Sequence, residues 1–241
     1  MEKIYKHIFV LTGAGISAES GLATFRDADG LWNNHKVEDV ATIEAFERNP
    51  QYVHEFYNEL KPEVMKAEPN AAHICLAQLK EKYSGKVDVI TQNVDTLHEK
   101  AGSENVYHIH GRIDEAICLN CGRILNSWGK VDMSTECPHC KQIGKFKPNI
   151  VFFGEMPLYM SEVEKKLREC DLFISVGTSG VVYPAAGFVH TAKYYGADTI
   201  EFNLEETSNN YLFDRHIKGN CSVTLPAFIQ TLIDAQNSFG E

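Results

Sequence analysis

The fold of this 241-residue chain is decided by the stretch IFVLTGAGISA at residues 8–18. Its apolar part, residues 8–12, stops at Gly13 and Gly15. A short apolar run that ends at glycine predicts a buried strand followed by a tight turn. Residues 13–18 also fit the dinucleotide-binding pattern G-x-G-x-x-G/A, in which backbone amides and a helix N-terminus meet a pyrophosphate. A glycine turn between a strand and a helix is an ordinary structural device as well, so the motif alone leaves both interpretations open.

The sequence after this motif weakens the interpretation as a dehydrogenase. The dinucleotide fingerprint places an acidic residue at the end of a second strand, about 20 residues further on. Glu38 and Asp39 lie at that distance, but the residues before them do not predict a strand. A dehydrogenase that transfers a hydride therefore stays an alternative.

The rest of the chain alternates between strands and helices, which predicts an α/β fold with a parallel sheet covered on both faces. Ligands of such sheets gather at the carboxyl ends of the strands. Residues 42–66 are predicted to be mostly helical, with helix boundaries at Pro50 and Pro62. The further predicted strands are 87–91, 106–110, 172–176 and 199–203, with an extended segment at 149–153, and the further predicted helices are 70–83, 161–169, 184–195 and 226–236.

The composition excludes several classes of protein. The chain has 23 Lys and Arg against 33 Asp and Glu, a formal charge of −10 that disfavours nucleic acid as a partner. Its hydrophobic content of 44% is that of a globular protein, not of collagen or a disordered chain. No run approaches the ~20 apolar residues of a membrane span. No secretory leader is recognised either, so we expect a cytoplasmic protein with no membrane partner.

Four of the seven cysteines form a metal-ligand pattern. Cys118 and Cys121 are one C-x-x-C pair, Cys137 and Cys140 are the second, and 15 residues separate the pairs. This is the spacing of a zinc ribbon, in which four thiolates complete a tetrahedral shell and leave no open position for catalysis. We therefore predict one structural Zn²⁺ in an inserted module, with redox chemistry at the two pairs as the less favoured alternative.

Polar side chains follow several of the predicted strands. Gln92, Asn93 and Asp95 can hydrogen-bond a sugar or an amide at a strand end. His108 and His110 are two residues apart and would share one face of a strand. A neutral imidazole with a pKa near 6.5 is the natural general base at neutral pH. His110 is the favoured candidate, although most of the ten histidines are expected to be packed or solvated.

Two later strand ends carry further polar groups. One ends at Gly177-Thr178-Ser179 and the other at Asn203-Leu204-Glu205. Hydroxyl and amide groups at these ends can bind a ligand, but the same residue types also favour turns and helix caps.

Together these segments resemble the sirtuins, the family of NAD-dependent protein-lysine deacylases, from about residue 8 to residue 235. The tracts at 26–32 and 37–42 are similar to the class III subgroup, which includes bacterial members. Besides the glycine turn and the cysteine pairs, the matching motifs are Ser20-Gly21, Phe25-Arg26, TQNVD at 91–95, His110-Gly111, FFGE at 152–155, Gly177-Thr178-Ser179 and Asn203.

The resemblance implies one catalytic domain, 1–241, of class α/β. Its large part is a Rossmann-like parallel sheet domain at about 1–30, 70–111 and 148–241. Its small domain combines a helical insertion at about 31–69 with the four-cysteine zinc ribbon at about 112–147.

The resemblance also implies that NAD is consumed as a co-substrate and that nicotinamide and O-acetyl-ADP-ribose are released. His110 and Asn93 are then the catalytic residues, with His110 as the base toward a ribose hydroxyl. The implied NAD-binding residues are Gly13, Ala14, Gly15, Ile16, Ser17, Glu19, Phe25, Arg26, Trp32, Gln92, Asn93, Val94, Asp95, Gly177, Thr178, Ser179, Asn203, Leu204, Glu205 and Cys221.

The implied partner is the acyl-lysine side chain of a protein or peptide, which adds a strand between two segments of the enzyme. The implied contacts are Tyr57, Val151, Phe152, Phe153, Gly154, Glu155, Val181, Val182 and Tyr183.

One departure from the class III pattern bears on the acyl group. That pattern for acidic acyl groups is Tyr-x-x-Arg, whereas this chain has Tyr57-Asn58-Glu59-Leu60. Leu60 cannot pair with a succinyl or malonyl carboxylate as arginine would. We expect deacetylation to dominate, with weak desuccinylation and demalonylation. The alternatives are a broad lysine deacylase or, from other classes, an NAD-dependent dehydrogenase or a zinc-ribbon protein that binds nucleic acid.

Overall fold

The computed structural model describes residues 3–24, 31–32, 35–126 and 129–237, with the backbone alone at 31–32. Short 3₁₀ turns lie at Ala185–Gly187 and Asn210–Leu212. The helices and strands of the described residues are β1 (His7–Thr12), α1 (Ala14–Ala18), β2 (Leu31–Trp32), β3 (His35–Lys36), α2 (Val37–Val40), α3 (Ile43–Arg48), α4 (Pro50–Lys66), α5 (Ala71–Lys82), β4 (Lys86–Thr91), α6 (Leu97–Lys100), β5 (Tyr107–His108), β6 (Gly111–Cys118), β7 (Ile124–Asn126), β8 (Phe146–Ile150), α7 (Met160–Glu169), β9 (Leu172–Val176), α8 (Phe188–Tyr194), β10 (Asp198–Asn203), β11 (Arg215–Lys218) and α9 (Cys221–Asn237).

Six parallel strands form the main sheet in the order β11-β10-β9-β1-β4-β5. Every residue of β1 is buried, as expected for a central strand with both faces covered. Thr12 pairs with Thr91 on one side and with Val176 on the other, so neighbouring strands end at one edge. The predicted α/β fold with a Rossmann-like parallel sheet is confirmed.

Helices cover both faces of this sheet. On one face, α5 and α9 pack on side chains that include Val10 and Ile174. On the other face, α7 and α8 pack on Phe9, Leu11 and Phe173, and the Phe9 and Phe173 rings stack with their centres 5.4 Å apart. The short β2–β3 pair is separate from the main sheet, and Glu38 and Asp39 lie in α2. They therefore do not complete a dehydrogenase fingerprint.

The prediction that Pro62 ends a helix is wrong. α4 starts at Pro50, as predicted, and continues through Pro62 to Lys66. A proline inside a helix costs about 3 kcal/mol. The buried side chains that flank it, among them Leu60 and Val64, offset this cost because they pack into a common core.

The predicted start of the last helix at Pro226 is also wrong. α9 begins at Cys221, and Pro226 lies inside it. Near the first turn, the Ser222 N–H donates to Glu19 Oε1 at 3.0 Å. This distant carboxylate satisfies a helix-end amide and complements the helix dipole, and neither effect is visible in the local sequence.

A second, smaller sheet of three antiparallel strands, in the order β7-β6-β8, carries the cysteine pairs. Its small core contains Ala116, Cys118, Cys137 and Phe146. Among the described residues, no helix combines the length and the apolar character that a membrane crossing requires.

Candidate active site

Two glycine turns interlock at the carboxyl ends of β1 and β9. The Gly13 N–H donates to Val176 O at 3.0 Å and the Gly15 N–H to Gly177 O at 2.9 Å. A Cβ on Gly15 would lie 2.7 Å from Gly177 Cα, and Gly177 itself has φ +61°. Glycine is therefore required for close approach of the two turns. The Gly15 N–H is therefore engaged with the neighbouring turn.

A buried polar network lies beneath the first turn. Asn93 Nδ2 donates to Gly13 O at 3.1 Å and to Ser17 Oγ at 3.0 Å. The Ser17 hydroxyl donates to Asp95 Oδ2 at 2.9 Å. Asp95 is 5% exposed, and burial raises the pKa of its carboxyl. Three of the predicted polar residues are thus held together by one another and by the glycine turn.

Sequence reasoning missed part of this network. Asn70 Nδ2 donates to Ile16 O at 2.8 Å, and the ring of His73 lies 3.5 Å from Ser17 Oγ. His98 Nε2 lies 3.0 Å from Thr12 Oγ1. Burial lowers the pKa of His73 to about 4 and that of His98 well below its ordinary value, so both rings are neutral packing groups at pH 7. Only their long-range contacts identify them, since nothing in the local sequence does.

His110 has the geometry of a base. Its Nδ1 lies 3.0 Å from Gln92 O. Because a carbonyl oxygen only accepts hydrogen bonds, Nδ1 carries the proton and Nε2 is the ring atom that can accept one. Burial lowers the pKa of His110 below its ordinary 6.5, so the ring is neutral at pH 7.

His108 occupies a different environment. The predicted strand at 106–110 is shorter than expected, because β5 ends at His108, and the inference of a shared face is wrong. His108 Nδ1 lies 3.0 Å from Asn93 O, and its Nε2 lies 2.7 Å from Glu99 Oε1. Both ring nitrogens are therefore engaged within the protein, and His108 holds the backbone behind Asn93.

One cavity of about 590 Å³ lies along the carboxyl ends of β1, β4, β9 and β10. It joins the glycine turns and His110 to the apolar surface of α4. The predicted residues that line it are Gly13, Ala14, Gly15, Ser17, Glu19, Tyr57, Gln92, Asn93, Val94, Asp95, His110, Val151, Phe152, Phe153, Gly154, Glu155, Gly177, Thr178, Ser179, Val182, Tyr183, Asn203, Leu204, Glu205 and Cys221.

Two of the predicted residues that the structure describes, Ile16 and Val181, are not among the lining residues. Ile16 is fully buried, and Val181 is 60% exposed beside the lining residue Val182. Phe25 and Arg26 lie outside the described residues, and Trp32 is described by its backbone only. Lining residues that sequence reasoning missed are Ala18, Leu22, Ala23, Thr24, Ala41, Glu63, Val64, Ile150 and Pro157.

α4 supplies one wall of the cavity. Tyr57, Leu60 and Val64 form one stripe of the helix, and the Tyr57 ring stacks on Phe152 with centres 6.0 Å apart. Leu60 is 5% exposed and packs in the apolar core of this region. This end of the cavity is therefore mainly apolar.

A second stripe of α4 holds the cysteine module. Asn58 Nδ2 donates to Val131 O at 2.9 Å, and Asn58 Oδ1 accepts the Val131 N–H at 3.1 Å. Lys61 Nζ donates to Gly129 O at 2.9 Å, and His54 Nε2 lies 3.0 Å from Phe146 O. Lys61 therefore points away from the cavity wall formed by Tyr57, Leu60 and Val64, as the helical rotation of about 100° per residue requires.

The four cysteines fit a tetrahedral metal ion. Their Sγ atoms lie within 4.8 Å of one another, with Cys118 and Cys140 at 3.7 Å and Cys121 and Cys137 at 3.8 Å. Zn–S bonds of about 2.3 Å give tetrahedron edges of about 3.8 Å. These cysteines would hold the predicted Zn²⁺.

The backbone repeats the same turn at both cysteine pairs. The Gly122 N–H donates to Cys118 O at 2.8 Å, and the Lys141 N–H donates to Cys137 O at 2.9 Å. Gly122 and Lys141 both have positive φ, +69° and +62° respectively. A non-glycine residue in this region is uncommon, so the second turn is strongly constrained by its surroundings.

A parallel sheet with a cavity at its strand ends, together with a separate four-cysteine module, defines a Rossmann-like protein with an insertion of the zinc-ribbon type. Comparison with family models then identifies it: the Sir2 family model matches residues 13–184. The chain belongs to the Sir2 family.

Curated relatives and solved structures agree with this assignment. The chain is 51% identical to an NAD-dependent protein deacylase of Leishmania major, over 96% of this chain and 97% of that protein. It is 46% identical to one of Vibrio cholerae, over 96% and 95% of the two chains. A Sir2 homologue–NAD complex shares 35% identity and a TM-score of 0.87, covering 96% of this chain and 91% of the other. A Sir2 bound to acetylated peptide shares 29% identity and a TM-score of 0.79, covering 97% and 94%.

Proposed function

We propose that this chain is a cytoplasmic NAD-dependent protein-lysine deacylase that acts mainly on acetyl-lysine, with nicotinamide and O-acetyl-ADP-ribose as products. The observation that carries the proposal is the continuous cavity, which is lined by His110, the interlocked glycine turns and the apolar side chains of α4. The names of the curated relatives and the two solved complexes support the same activity.

The nucleotide end of the cavity is suited to NAD. The turns at Gly13 and Gly177 bring main-chain groups and the Thr178 hydroxyl to one strand-end edge, where phosphates bind in such sheets. Asn203 and Glu205 offer polar groups for the adenosine part. When bound, NAD would supply the ADP-ribosyl group that receives the acyl group.

His110 is the proposed general base. The Gln92 carbonyl fixes its tautomer, so that Nε2 accepts a proton from a ribose hydroxyl at neutral pH. Asn93 is proposed to orient the ribose, because its own side chain is fixed by Gly13 and Ser17. Asp95 is proposed to bind the nicotinamide amide. These roles need rigid placement, which the buried network supplies.

The acyl end favours a neutral acyl group. Leu60 stands in the wall where an arginine would pair with a carboxylate, and Lys61 is committed to Gly129 O. Glu63, which also lines the cavity, adds a negative charge. The described residues that line the cavity include no lysine or arginine, so burying a succinyl carboxylate beside these groups would be costly.

The test is a comparison of acetyl-, succinyl- and malonyl-lysine peptides of one sequence with NAD, followed by mass spectrometry. We expect nicotinamide and O-acetyl-ADP-ribose, with the highest kcat/KM on the acetyl peptide. A higher kcat/KM on the succinyl peptide would show a broad or acid-preferring deacylase instead. NADH absorbance without nicotinamide would show a dehydrogenase.

A further inference from the structure

A buried ammonium lies behind the segment that borders the acyl end of the cavity. Lys147, on β8, is 6% exposed. Its Nζ donates to Ile150 O at 2.7 Å and to Glu155 Oε2 at 2.8 Å. It also lies 4.0 Å from the centre of the Phe152 ring, within the range of a cation–π interaction. All three contacts go to residues 150–155.

Glu155 forms hydrogen bonds within the same segment, residues 150–155. The Oε2 atom that accepts from Lys147 also accepts the Phe152 N–H at 2.7 Å, and the Glu155 N–H donates to Phe152 O at 2.9 Å. The Phe153 N–H donates to Ala41 O at 2.8 Å. The Glu155 carboxylate, which the family resemblance assigns to substrate contact, therefore has an oxygen committed to holding the loop.

The main effect of the Lys147–Glu155 pair is to fix the positions of nearby residues, and its net contribution to stability is small. Burial lowers the pKa of Lys147, while the hydrogen bond and the charge of Glu155 raise it. A buried ion pair is often no more stabilising than an apolar pair of the same volume, but the loss of one partner leaves an uncompensated charge. The distinctive contribution of the pair is the single position that it gives to Phe152 and Glu155.

We propose that Lys147 is a positioning residue for the acyl-lysine substrate. Its ammonium holds Phe152 against Tyr57, which forms the acyl wall, and holds Phe153 and Gly154 at the rim where a peptide backbone would dock. This inference rests on the proposed deacylase function. Loss of the ammonium then weakens use of the acyl peptide and leaves use of NAD nearly unchanged.

The chain contains a matched control for this cluster. Lys166 Nζ donates to Asp88 Oδ1 at 2.8 Å and lies 4.6 Å from the centre of the Tyr107 ring. Its side chain is 11% exposed, compared with 8% for Lys147. Asp88 lies near the amino end of β4 and also contacts His7, on the side of the sheet away from the cavity. The two clusters share their chemistry and differ in location.

The experiment compares Lys147→Met, Lys166→Met and the double variant Lys147→Met/Glu155→Gln with the wild type. Each protein is assayed for kcat, for KM of an acetyl-lysine peptide and for KM of NAD, together with Tm and zinc content. We expect Lys147→Met to lower kcat/KM for the peptide by about 10- to 100-fold, mainly through KM, with the KM of NAD changed less than about twofold. Lys166→Met should lower Tm and change neither KM.

The double variant separates position from stability. It leaves no unpaired buried charge in the cluster, and the amide oxygen of the introduced glutamine can still accept the Phe152 N–H, so Tm should recover relative to Lys147→Met. The KM of the peptide should stay raised. Recovery of both Tm and peptide KM would overturn the inference, as would equal kinetic changes in Lys147→Met and Lys166→Met.

If Lys147→Met does not fold, the double variant is compared with Glu155→Gln, and a peptide KM no higher than that of Glu155→Gln overturns the inference. A wild type that releases no nicotinamide with any acyl peptide would refute the proposed function, and the inference with it. A wild type that turns over, beside variants with unchanged peptide KM, would refute only the role of Lys147.

Discussion

The two ends of the cavity are built from different materials. At the nucleotide end, the surface is backbone from the turns at Gly13–Gly15 and Gly177, fixed by hydrogen bonds between the turns and by a buried polar network. At the acyl end, the surface is the apolar side chains of α4 and the Phe152 segment. A backbone surface tolerates almost no added atom, whereas a side-chain surface changes its chemistry with one substitution. Substitutions at the nucleotide end should therefore lower stability and the use of NAD. Substitutions at the acyl end should change which acyl group is preferred.

The largest effect is expected from a substitution in the cysteine module, which holds helix α4 and so supports the acyl end. Cys118→Ser should lose the metal and the soluble fold, since metal binding contributes about 10–16 kcal/mol in small zinc domains at pH 7. Zinc content, circular dichroism and solubility check this. Retained metal with unchanged Tm would contradict the structural role of the site.

His110→Ala should lower kcat by about 10²–10⁴-fold, because it removes the proposed base and leaves the other lining residues unchanged. Tm and zinc content should match the wild type. His190→Ala, at an exposed position on α8, is the control and should be fully active. Nicotinamide release measures both variants, and a His110→Ala protein of normal rate would reject the assignment.

Gly177→Ala tests the backbone surface. Its Cβ would lie 2.4 Å from the Ile16 nitrogen, at a residue with φ +61°, so we expect a loss of about 1–3 kcal/mol in unfolding free energy together with a raised KM for NAD. Gly196→Ala is the matched control, because Gly196 has φ +91° but open space around it. That control should be destabilised by about 1 kcal/mol and keep its KM for NAD. Equal kinetics in the two variants would break the comparison.

Leu60→Arg tests the side-chain surface. The guanidinium would give a succinyl carboxylate its missing partner, so kcat/KM on the succinyl peptide should rise by about tenfold. Activity on the acetyl peptide should stay within a few-fold of the wild type. Measurement of kcat/KM with both peptides checks this change in acyl preference. Loss of both activities would show instead that Leu60 is required for folding.

The smallest effect is the pH dependence near neutrality. The pKa of His110 is lowered by burial, so the active neutral form is the majority at pH 6.5, and kcat/KM should change less than about twofold between pH 7.5 and 6.5. Below the pKa, the rate should fall about tenfold per pH unit. A decline of more than twofold between pH 7.5 and 6.5 would indicate a raised pKa and contradict this expectation.

The free energy of unfolding should also decrease as the pH falls. Buried His73 binds a proton in the unfolded chain near pH 6.5 but not in the folded chain until about pH 4, so the unfolded state binds more protons between these values. Its contribution is fully present above pH 6.5 and is lost as the pH falls, by about 2 kcal/mol at pH 5. Denaturant unfolding at pH 7.5 and 5, with His73→Gln for comparison, measures this term.

The sequence carried most of the information about the nucleotide end. The run at 8–15, the polar residues at 92–95 and the turn at 177–179 are local signals, and the parallel register brings them to one edge. The acyl end and the supporting contacts were harder to predict, because they depend on distant partners. The continuation of α4 through Pro62, the cap that Glu19 gives α9, and the contacts of Asn70 and His73 all depend on residues far apart in the chain.

The two sides of helix α4 have different tasks. Its residues 57, 60 and 64 face the cavity. Residues 54, 58 and 61 lie about a third of a helical turn around α4 and hydrogen-bond the cysteine module. Exchange of cavity-facing side chains leaves those anchors in place. We therefore expect that substitutions at the cavity-facing positions of α4 can change which acyl group the proposed deacylase accepts, while the contacts of α4 with the four-cysteine module stay in place.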